Sequence, residues 1–216
     1  EILARYTAAI GDHDFGVLFG YSAMEYRTWG WGVSKQGATD WTLNDLGTYE
    51  TLSGSSSTAK NGWGLRSYFG RVNYAYKNRY LFEANLRADG SSRFGSNNRY
   101  GIFPSFSAGW KIHEERFMEG TEDWLSNLKL RASWGKAGNN QGIGNYAWQA
   151  VYATQNVVVD GSGSKGLYIS SLSNADLKWE TTATTDIGLD MGFFDNRLTA
   201  EIDYYTLHIV GSVRCV

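Results

Sequence analysis

One cysteine and one proline are all that 216 residues contain of either. Cys215, next to the end, has no partner for an internal disulfide, which excludes a stapled secreted scaffold. No apolar run approaches the roughly 18 residues a membrane helix needs, so any entry into a membrane is by strands. The net charge of -2 leaves no basic footprint for nucleic acid. No signal peptide is visible, and the chain opens on Glu1 and closes on Arg214-Cys215-Val216. We read it as an internal piece of a longer protein, so the missing leader says nothing about location. Catalytic patterns are missing as well. His13, His113 and His208 lack ligand spacing, and His113-Glu114-Glu115 is not a zinc helix motif. Ser22 and Ser133 have no nucleophile-elbow context. Gly142 to Ala147 matches a loose dinucleotide fingerprint, but no helix pattern follows it. The sequence therefore predicts no catalytic residue, no metal and no cofactor.

What is present is glycine, 26 residues of it, with 9 Trp and 14 Tyr. Much glycine, many aromatics and little proline suit a sheet in which nearly every N–H is committed to a ladder. Tyr80 to Gly90 shows the pattern best. Tyr80, Phe82, Ala84, Leu86 and Ala88 fall on one face of an extended chain, and Leu81, Glu83, Asn85, Arg87 and Asp89 on the other. Similar alternation predicts eight strands: 2–10, Phe15 to about Arg27, 65–76, 80–89, 102–112, 128–137, about 183–191, and one from Leu198. Long loops are expected at 28–64 and 138–176. A loop of Ser, Asn, Arg and Gly is expected at 90–101, and a short helix within 113–127.

Connection lengths alternate, which in an up-and-down sheet puts the three long loops at one end. Short turns at one end and long loops at the other are the pattern of a transmembrane β-barrel, with the short turns periplasmic. A soluble antiparallel sheet also alternates but has no strict sidedness of loops.

Some segments go beyond pattern. Ser67-Tyr68-Phe69-Gly70-Arg71-Val72-Asn73-Tyr74 and Arg87-Ala88-Asp89-Gly90-Ser91-Ser92-Arg93-Phe94-Gly95 lead to Phe103-Pro104-Ser105 and Ala108-Gly109-Trp110. Leu128-Lys129-Leu130-Arg131-Ala132-Ser133-Trp134-Gly135 follows, then Leu177-Lys178-Trp179-Glu180 and Phe193 to Leu198. In this order the chain resembles the SusC/RagA family of TonB-dependent outer-membrane transporters of Bacteroidota, best over Leu65 to Thr206. The first 64 residues fit only in style, and Leu207 to Val216 departs from the family. The resemblance implies a multi-pass barrel of about 22 strands in the outer membrane, filled by an N-terminal plug. Residues 1–216 would be part of its barrel domain, with plug and closing strands absent. It also implies import of oligosaccharide or peptide, a SusD-like surface lipoprotein as lid, and TonB acting on the plug. Outer-membrane lipids would surround the wall, and no enzymatic step is implied. Two other readings stay open: a small complete eight-stranded barrel, and a soluble carbohydrate-binding sheet.

Candidate ligand contacts are Trp29, Trp31, Trp41 and Trp63 in or beside the first long loop, since an aromatic face stacks on a sugar. The alternative is that they anchor the loop or form an interfacial girdle. Arg93 joins them as a plug or substrate contact, or as part of a structural turn. Arg71, Glu83, Arg87, Arg131, Glu201 and Asp203 fall on the wet face, which in a barrel is the lumen. There they meet plug or substrate, or form a hydrated wall of crossed ion pairs.

Overall fold

The structure, a computed structural model, describes residues 1–38, 42, 49–52 and 57–211. Eight strands form one antiparallel sheet. In chain order they are β1 (Ile2–Ile10), β2 (His13–Gly32), β5 (Ser57–Tyr76), β6 (Tyr80–Ser91), β7 (Tyr100–Lys111), β8 (Leu125–Asn139), β11 (Glu180–Phe193) and β12 (Leu198–Val210). Each pairs with its neighbour in that order, while β1 and β12 are edges. Two hairpins complete the set, β3 (Lys35–Ala38) with β4 (Tyr49–Leu52), and β9 (Val151–Val159) with β10 (Ser162–Ser171). Helical structure among the described residues is limited to single 3-10 turns at Ser96–Asn98, Ile112–Glu114 and Arg116–Met118.

The register carries the predicted alternation across the whole sheet. Tyr74 pairs with Phe82, Phe82 with Ala108, Ala108 with Ala132, and Ala132 with Ile187. One face thus collects Phe15, Phe19, Val72, Phe82, Leu86, Phe106, Ile187 and Ile202, all exposed. The other collects Arg71, Glu83, Arg131 and Asp203. Thr7 of β1 and Asp186 of β11 line one cavity of about 670 Å³. Strands that far apart in the order share a cavity only if the sheet curls, and it curls toward the polar face.

Exposed apolar residues on a convex face are what a lipid-facing wall requires. At its turn end this face carries a row of rings. His13, Tyr76, Tyr80 and Trp110 follow one another with centroids 4.9, 6.2 and 6.4 Å apart. Amphipathic rings favour the level where hydrocarbon gives way to water.

Short connections cluster at that same end, around Gly11-Asp12, Lys77-Asn78-Arg79 and Phe194 to Arg197. Lys77, Asn78, Phe194, Asp195 and Asn196 all take positive φ there, as tight primed turns require. Three expectations need correction. The expected loop from Thr28 to Gly64 is largely strand, because β2 and β5 pair without a break from His13↔Tyr76 to Gly32↔Ser57. The expected loop from Gly138 to Asp176 contains the β9–β10 hairpin. Its turn, Asp160-Gly161, has φ of 52° and 78°, the Asp-Gly primed turn that the sequence carried in plain view. The stretch 113–127 forms two short 3-10 turns rather than one helix.

The buried core is small and lies at the end away from the turns. Phe94, Phe103 and Trp179 are buried together, with Leu65, Ile143 and Leu177 packed against them.

Candidate functional site

The polar face is wired by cross-strand hydrogen bonds. On β5 and β6, Arg71 donates from Nε to Asn85 Oδ1 at 2.8 Å, and Asn85 donates to Glu83 at 2.8 Å. One step further from the turns, Arg87 donates to both carboxylate oxygens of Asp89 at 2.7 and 2.8 Å and to Ser67 Oγ at 3.0 Å. Arg131 on β8 reaches across β11. Its Nε donates to Asp190 at 2.7 Å and its Nη2 to Asp203 of β12 at 2.9 Å. Gly188 makes this reach possible, since it stands between Arg131 and Asp203 in the register and a side chain there would collide with both. Glu201 shares this face, opposite Asp190 in register.

These six residues are therefore on one polar face, as the alternation predicts. Five of them lie in hydrogen-bonded groups, and Glu201 makes no ion pair among the described residues. Such pairs hold charge on a wet wall at low net cost, and each is worth little when water reaches it.

At the far end the rim loops are tied by several hydrogen bonds, of which Arg93 makes two. Arg93 Nε donates to Asn145 Oδ1 and its Nη1 to the Asn140 carbonyl, both at 2.8 Å. Its guanidinium lies over the Trp63 ring, 5.2 Å from the centroid. Asn145 in turn donates to Asn61 at 2.6 Å, and Asn140 to Ser91 at 3.1 Å. Arg93 therefore joins the 92–99 loop to the 140–148 loop and to β5. Of the predicted ligand candidates, Arg93 and Trp63 are brought together. Tyr26, which the sequence reading passed over, lies 6.0 Å from Trp63 on the same inner face. Its signal was available, because Tyr26 and Trp63 follow the inner-face parity of β2 and β5 once those strands are extended.

Trp29 and Trp31 are also on a strand rather than in a loop, but on the opposite, convex face, 67% and 65% exposed. Trp41 lies outside the described residues.

At the turn end, Glu115 gathers donors from three elements. Tyr80 donates to it at 2.5 Å, Trp110 at 3.0 Å and Arg79 at 2.8 Å. The Tyr80 hydrogen bond first, then that of Trp110, hold its carboxyl below the usual value of 4.5. A carboxylate depressed by folding stabilises the fold at pH above its unfolded value and loses that contribution as pH falls through its folded value. Glu115→Gln is thus expected to melt below the parent at pH 7. The gap should shrink steadily below about pH 4.5, as read by thermal unfolding. A gap that widens in acid contradicts the assignment.

Among the described residues, no group of three or more His, Cys, Asp or Glu is placed to hold a metal ion. The arrangement is a curved partition, greasy outside and charge-paired inside, with a braced rim.

Residues 4–209 match the family described as TonB dependent receptor-like, beta-barrel. The match reaches both the first strands, which the sequence resemblance covered only in style, and Leu207 to Ile209 of the tail set apart above. TonB-dependent receptor P3 of Formosa agariphila is 36% identical over 96% of this chain, and the chain covers 21% of it. TonB-dependent receptor SusC of Bacteroides thetaiotaomicron is 37% identical over 95% of the chain, which covers 20% of it. The solved structure of the RagAB peptide transporter superposes with a TM-score of 0.84 at 35% identity, over 94% of this chain and 22% of that one. The chain thus spans about a fifth of the length of these relatives.

Proposed function

Since the chain belongs to the TonB dependent receptor-like β-barrel family, we propose that it forms one sector of the wall and outer rim of an outer-membrane nutrient importer. The observation that carries this reading is the division of one curved sheet into an exposed apolar convex face and a charge-paired concave face. Residues 1–216 act here as part of the barrel domain, and the wall stays fixed while TonB acts on a plug elsewhere in the parent. Cargo is an oligosaccharide or a peptide, and a SusD-like lipoprotein covers the rim. No bond is made or broken by this segment. Tyr26 and Trp63 present ring surface to cargo from the inner face, while the polar wall keeps the conduit hydrated.

The edge strands β1 and β12 do not pair, which speaks against a closed eight-stranded barrel. The large exposed apolar face speaks against a soluble sheet.

The test is to delete the parent gene and to express it again with and without Trp63→Ala. The parent protein is expected in the outer-membrane fraction. Uptake of a labelled glycan or peptide should fall on deletion and return with the parent gene. Recovery of the parent as a detergent-free soluble protein, or unchanged uptake of every such cargo on deletion, overturns the reading.

A further inference from the structure

β6 leaves the sheet at Ser91, opposite Leu65, while β2 and β5 stay paired as far as Gly32↔Ser57. The last stretch of β5 therefore has β2 on one side and an open edge on the other. Gly64 shows which groups point to that edge. Its N–H donates to Ser92 Oγ at 2.9 Å, and its carbonyl accepts the Ser92 N–H at 3.0 Å. The N–H and C=O of one residue leave an antiparallel strand on the same side, and every second residue repeats the direction. Gly62, Lys60 and Thr58 thus turn their N–H and C=O groups to the open edge. Asn61, between them, turns its carbonyl to β2, where the Thr28 hydroxyl donates to it at 3.2 Å. Past Gly64, no backbone group among the described residues bonds to β5 on the open side.

A groove of about 1000 Å³ follows this edge. Its lining comes from both sides of the ribbon, with Lys60 and Arg66 on the convex side and Asn61 and Trp63 on the inner side. Arg99 and Tyr146 line it as well, from the loops beyond β5. Lys60, Arg66 and Arg99 are exposed and make no ion pair among the described residues. The one acid of the lining, Glu25, is taken by Arg27 at 2.6 Å. Open N–H and C=O groups that recur about every 6.6 Å are matched by another extended backbone, which adds to the edge as a further strand. A saccharide has no such repeat of donor and acceptor. Alternate side chains of an added strand go to opposite sides. On one side they meet Lys60, Arg66 and Arg99, which suit carboxylates. On the other they meet Trp63, which suits apolar groups.

We infer that the open β5 edge from Thr58 to Gly62 captures peptide cargo as an added strand, an extended segment in which acidic and apolar residues alternate. The inference rests on the importer reading above and decides between its two cargo classes.

The test uses the full-length parent in mild detergent and fluorescence polarisation with a labelled hexapeptide of alternating glutamate and leucine. The parent is expected to bind it, and to bind more weakly its backbone N-methylated form, its lysine–leucine counterpart and labelled maltohexaose. The N–H of Lys60 points off the ladder, so a proline there leaves the pairing with β2 intact. Lys60→Pro should bind the peptide about tenfold more weakly, from a lost donor and a ring against the edge. Lys60→Gln, which loses only the charge, should lose about threefold. Lys77→Ala, at the opposite end, should bind like the parent. Retained heat-modifiable mobility on a gel shows that each variant is folded. A benzophenone amino acid in place of Thr58 supplies a second reading in cells, with crosslinking to added peptide expected. Equal binding of the N-methylated peptide, parent-like binding by Lys60→Pro, tighter binding of maltohexaose, or a crosslink to a resident protein overturns the edge assignment. If the parent itself fails to fractionate with the outer membrane, the importer reading falls first.

Discussion

Phe94→Ala in the full-length parent is expected to lower stability to unfolding by about 3–5 kcal/mol, the cost of emptying a buried aromatic site. Phe94 has no solvent exposure, and its ring centroid lies 5.0 Å from that of Trp179. Trp179 packs on Phe103 at 5.4 Å and donates its indole N–H to the Arg99 carbonyl at 3.1 Å. Removing the Phe94 ring therefore strips contacts from a residue that joins β7, the 92–99 loop and the entry to β11. Phe94→Leu refills part of the space and should recover much of the loss. Denaturant unfolding gives the magnitude. Limited proteolysis gives the place, with new cleavage expected within 92–99 and 172–179. A loss under about 1 kcal/mol shows that this cluster is not what holds the rim.

The second large effect concerns the convex face. On this face three paired rows lie between the ring row at Tyr76 and Tyr80 and the row of Tyr21, Tyr68 and Ile102. Eight residues of β5 span that distance, about 27 Å along the strand and about 20 Å along the normal at a tilt near 40°. Val72 occupies the middle row and is 48% exposed. Val72→Arg puts a charge at the centre of the hydrocarbon, which costs about 2–4 kcal/mol, whereas an arginine near either interface costs about 0–1. Unfolding from lipid vesicles should therefore show Val72→Arg well below Tyr76→Arg. In a soluble sheet an arginine at exposed position 72 costs no more than one at half-buried position 76, so equal losses at 72 and 76 count against a membrane-spanning wall.

That depth profile was legible in the alternation alone, because inside a membrane the two faces of a strand meet opposite solvents. The same physics explains where the reading stopped. Above the apolar band both faces are wet, as Glu25 and Arg27 show on one and Thr28 and Asn61 on the other, and the period of two vanishes while the ladder continues. The alternation therefore gives out near Arg27, five residues before the strand ends at Gly32, and carries no parity for Trp29, Trp31 or Trp63. With the register known, Trp63 faces inward and the other two outward. Arg131 was legible as an inner-face cation, but its bond to Asp203 depends on Gly188 and spans two strands, which no local pattern encodes. The role of Arg93 was hidden for a similar reason. Its partners Asn140 and Asn145 are 47 and 52 positions away, in a loop whose path the sequence does not state.

The bracing at Arg93 constrains how such a protein is remodelled. Residues 61, 63, 93, 140 and 145 form one hydrogen-bonded and stacked set although they come from three separate stretches of chain. A recombinant that imports the 140–148 loop from a relative without the matching residues at 61 and 93 loses the Arg93 and Asn61 bonds and keeps only those of Asn140 to Ser91 and of Trp148 to the Ser92 carbonyl. The bracing of this rim is thus inherited in blocks. The unit of exchange is the three stretches together, and shuffling them independently breaks the Arg93 and Asn61 bonds wherever the partners do not match.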